Sequence, residues 1–206
     1  MRGLIAPVAA LVLVAGCAAT GADRPFTPRQ GASAGPSAPT AAPSPVVETI
    51  RVGSRLNVLV ERPVGQDAEL LKVFTDLYIK SWKAVVTKGD DDGYLAGVED
   101  PAGRQAYTWV RGFVSQGRTV RGSARVYAMT VSAVVGDGAQ VDACVDESGL
   151  VLVSTRTGEA VPSQPVWTRE PYLQAMVVRR GDDGVWRVKG LRHATLTDER
   201  AKGCAR

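Results

Sequence analysis

Hydrophobic periodicity switches from helical to period two near Gly117, and that change restricts the fold more than any other feature. Between Gln66 and Thr87, Leu71, Phe74, Tyr78, Trp82 and Val85 recur at spacings of three and four, and Leu70, Val73 and Leu77 widen the stripe. This is the buried face of an amphipathic helix. Asp67 stands where an N-cap belongs, Glu69 suits the first turn, and Gly89 is a stop signal. A second, short helix is expected around Tyr94 to Val98. A third should run from Pro101, a favoured first-turn residue, to about Val114.

Beyond Gly117 the period is two. Arg125, Tyr127, Met129, Val131, Ala133 and Val135 fall on one face of a long strand, and Gly136-Asp137-Gly138 is a hairpin turn signal. Strands are expected next at Gln140 to Asp146, Leu150 to Thr155, Leu173 to Arg180 and Val185 to Lys189, with turns at Glu147-Ser148-Gly149 and Gly181 to Gly184. Ahead of the helix, Thr49 to Arg62 also alternates and reads as one entry strand. Helices followed by an antiparallel meander make an α+β order: N-terminal helices packed on a sheet of about five strands.

The N-terminus carries a different signal. Arg2 is followed by an uncharged apolar run from Leu4 to Val14. That is shorter than the ~20 residues a membrane span needs, and it has the layout of a secretory signal. Val14-Ala15-Gly16-Cys17 resembles the lipobox of bacterial lipoproteins. The resemblance implies cleavage after residue 16 and diacylglycerol, with acyl chains of the palmitate kind, on Cys17. It places the protein on the extracytoplasmic face of the cell membrane, held there by the lipid anchor. The Ala-, Gly-, Val- and Arg-rich composition suggests an actinobacterial source.

Residues 17–47 hold six of the chain's twelve prolines and little apolar bulk, so they read as a disordered Pro/Ala/Ser/Gly tether. Gly31-Ala32-Ser33-Ala34-Gly35 matches a nucleophile elbow in spelling, but the motif needs a strand before it and a helix after it, and its flanks are low-complexity. Residues 48–206 are then the size of one ordinary domain.

From about Asp67 to the C-terminus the order resembles the nuclear transport factor two-like superfamily, a curved, cone-like sheet wrapped on a long helix. The resemblance rests on the helix ending at Trp82 before Gly89-Asp90, on Val141-Asp142-Ala143-Cys144-Val145-Asp146, and on Asp183-Gly184-Val185-Trp186-Arg187-Val188. It implies fold and leaves function open, because isomerases, dehydratases and binding modules share it.

The chemistry legible in the residues is sparse. A net charge of +4, from 25 basic and 21 acidic residues, lacks the concentrated stripe expected of a nucleic-acid binder. Local basic sets, Arg111 to Arg125 and Arg179 to Arg192, read as solvated strand faces. No spacing among the three cysteines and one histidine suits a structural zinc site. Lys88 to Gly93 with Glu99 partly matches a calcium loop, but Lys88 stands where the first carboxylate should be. His193, sharing strand parity with Arg187 and Lys189, reads as an exposed edge residue. No cofactor is expected.

With Cys17 lipidated and the chain in an oxidising compartment, Cys144 and Cys204 are expected to pair. Tyr78, Trp82, Tyr107, Trp109 and Tyr127 are core first and candidates for the mouth of a pocket second. Ketosteroid isomerases, within the resembled superfamily, use a pocket carboxylate and a tyrosine donor. No residue here declares itself as that carboxylate. The expected function is a non-catalytic module binding a small ligand or an envelope protein. The alternative is a small isomerase- or hydrolase-like enzyme, and the two part on whether a buried carboxylate faces a tyrosine in an open cavity.

Overall fold

In the computed structural model residues 43–205 are described. The expected signal peptide at 1–16, Cys17, the expected tether before Pro43 and the Gly31 to Gly35 motif lie outside them.

The chain opens with a hairpin, β1 (Val46–Val52) and β2 (Leu56–Arg62), paired antiparallel across Gly53 to Arg55. The single entry strand expected from sequence is therefore two strands. Gly53, at φ 64°, makes the reversal that alternation alone does not reveal. Val46 and Val47, expected at the end of the tether, are the first residues of β1.

Helix α1 (Ala68–Val86) comes next, with the Asp67 carboxylate accepting from the amides of Glu69 and Leu70. Its apolar stripe is buried as the spacing required: Leu70, Leu71, Phe74, Leu77, Tyr78, Trp82 and Val85 all lie in the core. The short second helix is one turn of 3₁₀ at Gly93–Leu95. Helix α2 (Ala102–Val114) starts just after Pro101 and packs Ala102, Ala106 and Val110 inward.

Five further strands complete the sheet: β3 (Arg118–Val135), β4 (Gly138–Asp146), β5 (Leu150–Ser154), β6 (Tyr172–Arg180) and β7 (Trp186–Ala194). The α+β order stands, with seven strands rather than about five. The path runs β1-β2-β3-β4-β6-β7, and β5 pairs with the first part of β3. The β2–β3 pairing is parallel, because both helices intervene between the two strands; every other pairing is antiparallel.

Of three register irregularities, the second in β3 falling between Val131 and Ala133, two decide which site residues face the helices. Between Tyr127 and Thr130, β3 carries one residue more than β4 does between Cys144 and Asp142, and Ala128 takes φ 48°. Side-chain parity flips there. Val120, Ala124 and Val126 before the bulge share the buried face with Met129 after it, while Tyr127 points to the other side. The single face expected for Arg125, Tyr127 and Met129 is thus corrected. The bulge in β7 pairs Val177 with Gly190 but Val178 with Val188, leaving Lys189 extra. It parts His193 from Arg187 and Lys189 and turns it toward the helices beside Leu191.

On the outer face of the sheet, Cys144 and Cys204 form a disulfide, with Cα atoms 5.3 Å apart. It fastens the 3₁₀ segment Glu199–Cys204 across β4 and β6, and the Tyr127 hydroxyl donates to the Cys204 carbonyl at 2.5 Å.

Candidate functional site

Between the helices and the inner face of β6 and β7 lies a cavity of about 570 Å³. Helix α1 supplies Tyr78 and Trp82, one turn apart, and α2 supplies Gln105 and Trp109 at the same spacing. From the sheet, Tyr172 and Gln174 alternate along β6, and His193 lies directly opposite Gln174 on β7.

The floor is Glu147, and it is 3% exposed. It sits in the tight connection between β4 and β5, whose composition reads as a solvent-facing turn. The turn is held by the Asp146 carboxylate accepting from the Ser148 amide at 2.9 Å and by the Leu150 amide donating to the Glu147 carbonyl at 3.0 Å. Gly122 and Gly149 let β3 and this turn touch backbone to backbone: a Cβ at Gly122 would lie 2.1 Å from the Gly149 carbonyl oxygen. No side chain can separate the two segments, so Glu147 is pressed inward under α1.

Its Oε1 accepts from the Tyr78 hydroxyl at 2.7 Å and from the Trp82 indole nitrogen at 3.2 Å, and Tyr172 is a third donor. Burial raises the Glu147 carboxyl to about 7, against the lowering effect of these three donors. Burial, followed by the neighbouring Glu147 charge, holds the phenols of Tyr78 and Tyr172 well above the ordinary range, so both remain donors at neutral pH. His193 is exposed, as its sequence position suggested, yet lines the cavity edge; desolvation lowers it, and its ring lies edge-on to Tyr172 at 5.6 Å.

Three polar side chains on the cavity wall, Ser81, Gln174 and His193, make no hydrogen bond within the described residues. The wall behind Trp82 is a packed aromatic set. Trp109 lies 4.8 Å from Trp82 and Phe113 5.5 Å from it, both edge-on, with Trp167 at 6.1 Å. Trp82 is fully buried yet forms a side of the cavity rather than filling it.

Of the five aromatic candidates, Tyr78, Trp82 and Trp109 line the cavity. Tyr107 does not: it is 51% exposed, two positions from Trp109 and so on another face of α2. Tyr127 does not either, since the β3 bulge sends it to the disulfide on the opposite side of the sheet. Two carboxylates of the calcium-like loop region, Asp91 and Glu99, are engaged with lysines. Asp91 pairs with Lys83 at 2.6 Å and accepts from the Gly93 amide, while Glu99 pairs with Lys189. No group of three potential metal-ligating side chains occurs among the described residues.

Sequence reasoning missed Glu147, Tyr172, Gln174 and His193 as site residues. Gln174 left a signal, a polar residue between apolar neighbours on an otherwise inward strand face. Glu147 left none, because Asp-Glu-Ser-Gly is ordinary turn composition.

No family model and no curated protein matches the chain. Among solved structures, it is similar to the protein Aln2 of a Streptomyces species, with 16% identity and a TM-score of 0.42 over 62% of this chain and 91% of that one. A ketosteroid isomerase-like protein of Erwinia carotovora atroseptica shares 14% identity at a TM-score of 0.39, over 62% and 96%. A protein of Novosphingobium aromaticivorans described as an aromatic ring hydroxylase shares 19% at 0.35, over 61% and 93%. Likeness of this degree carries nothing about activity.

Proposed function

We propose that this chain is an exported lipoprotein, anchored to the cell membrane through Cys17, whose folded domain is of the nuclear transport factor two-like type and binds a small, largely apolar organic molecule in the Glu147 cavity. One observation carries the binding reading: a cavity of about 570 Å³, the size of small-molecule sites, is walled by aromatic side chains and holds polar groups that open onto it without protein partners. Gln174, 7% exposed, is the most enclosed of these; its amide atoms still reach open space, where they can donate to and accept from a ligand. The anchor rests on the order of apolar run, small residues and cysteine at 4–17.

The test uses benzyl alcohol as a neutral probe and the emission of Trp109 at the cavity wall as the readout. Saturable quenching or shift is expected, and its loss in Leu191→Trp, which fills the cavity. Absence of any saturable response would overturn the binding reading.

A second reading, proton-transfer catalysis, is favoured by the position of the Glu147 carboxyl near 7 beside two phenol donors. A group titrating near ambient pH exchanges protons in both directions most effectively. Loss of turnover in Glu147→Gln with ligand binding retained would select this reading over binding alone.

A further inference from the structure

The charge balance of the cavity says more than its shape. Among the described residues Glu147 is the only carboxylate on the cavity wall, and it belongs to none of their ion pairs. Its donors, two phenols and an indole, are neutral; they solvate an anion without cancelling its charge. Two basic side chains reach the wall. Arg104 is 77% exposed in its side chain and faces Asp100 at 3.4 Å, so it stands at the rim with a partner of its own. His193 stands exposed at the cavity edge, and desolvation lowers its readiness to take up a proton. A buried carboxylate with neither a proton nor a counter-cation is costly, and a ligand cation is one remedy. The surrounding wall suits the same ligand. The aromatic side chains of Tyr78, Trp82, Trp109 and Tyr172 present π-electron density, which attracts a weakly hydrated organic cation but not an anion.

We propose that the ligand of this cavity is an organic ammonium ion, a protonated or quaternary amine bearing an apolar group, with its charge set against the Glu147 carboxylate among the aromatic walls. This rests on the cavity being a ligand site. It adds the ligand's charge and the residue that reads it.

A titration series at constant shape tests it: benzyltrimethylammonium, benzyl alcohol and benzoate, each titrated into the mature chain and followed by tryptophan emission and calorimetry. At pH 8 the cation should bind at least tenfold more tightly than the alcohol, and benzoate should bind more weakly than both. The cation has no proton to lose, so its pH dependence reports the protein. The titratable and charged groups around the carboxylate are Tyr78 from α1, Asp146 beside it and Tyr172 from β6, with Arg104 from α2 and His193 from β7 elsewhere on the cavity wall. Of these, His193 gains positive charge on acidification and acts with protonation of Glu147 against the cation. Affinity should therefore fall about tenfold or more from pH 8 to pH 6, the change in ionised fraction of an acid centred near 7. In Glu147→Gln the cation's affinity should drop to that of the alcohol and lose most of its pH dependence. Alcohol binding as tightly as the cation, or a cation affinity indifferent to pH, overturns this inference and leaves the small-ligand reading standing. Failure of all three probes to bind overturns both.

Discussion

A carboxyl that holds its proton up to about pH 7 when folded, and only to about 4.5 when unfolded, binds that proton more tightly in the native state. The stability it contributes is fully present below 4.5 and is lost as pH rises through 7. For a buried group the difference is about 3 kcal/mol. Glu147→Gln carries no such linkage, so the stability of the variant relative to wild type, measured by urea unfolding from pH 5 to pH 8, should move by about that amount in the variant's favour. His193 is lowered by desolvation and titrates in the opposite sense, losing its contribution as pH falls, but it is common to both proteins and largely cancels. A difference flat across this range would show that Glu147 is not held as a buried acid. Tyr78→Phe removes the shorter direct hydrogen bond to the ionised form. It should push the Glu147 midpoint further up, readable by NMR of a labelled carboxyl.

Elements place these groups through irregularities rather than through regular structure. Without the β7 bulge at Lys189, His193 would face away from the helices; without the β3 bulge at Ala128, Tyr127 and Met129 would share one face of the sheet. The contact of β3 with the β4–β5 turn depends on two glycines, and Gly122 also holds φ 115°, which an L side chain resists. Gly122→Ala should cost roughly 2–4 kcal/mol and weaken benzyl alcohol binding, because the turn carrying Glu147 must retreat. Gly112→Ala is the matching control. It lies within α2 with nothing near its added methyl, so it should stabilise by about 0.5–1 kcal/mol and leave the cavity as it was. Thermal melts of both variants check the contrast, and equal effects would count against the backbone contact as the positioning device.

At the scale of the molecule, the disulfide closes a separation of 60 residues and ties the C-terminal segment over the outer face of the sheet. Chain entropy sets its contribution at roughly 4 kcal/mol. The segment is also docked through Ala201, which is fully buried, so Cys204→Ser should lower the melting temperature while the last residues stay partly protected from exchange. An unchanged melting temperature would show that the noncovalent contacts suffice. The expected tether and anchor make a separate prediction. Cys17→Ala should send the protein into the medium or leave it uncut, and membrane retention of the variant, with no lipid label on wild type, would remove the lipoprotein reading.

Periodicity, local capping and residue counting are properties of the sequence by itself, and they determined a definite part of this protein. The α1 stripe from Leu70 to Val85, the Asp67 cap, the change to period two beyond Gly117 and the α+β order are all local, written in neighbouring residues. The Cys144–Cys204 pairing was expected only on the reading that Cys17 is lipidated and the chain exported, and the pair is bonded in the fold. Tertiary structure decided which side of the sheet each residue serves. One extra residue in β3 moved Tyr127 out of the candidate pocket, one in β7 moved His193 into it, and a glycine contact 27 positions before Gly149 converted a turn glutamate into the cavity's buried acid. The reason is physical. A bulge inverts every later side chain without changing composition, and burial of Glu147 depends on a backbone approach between segments that no local pattern records.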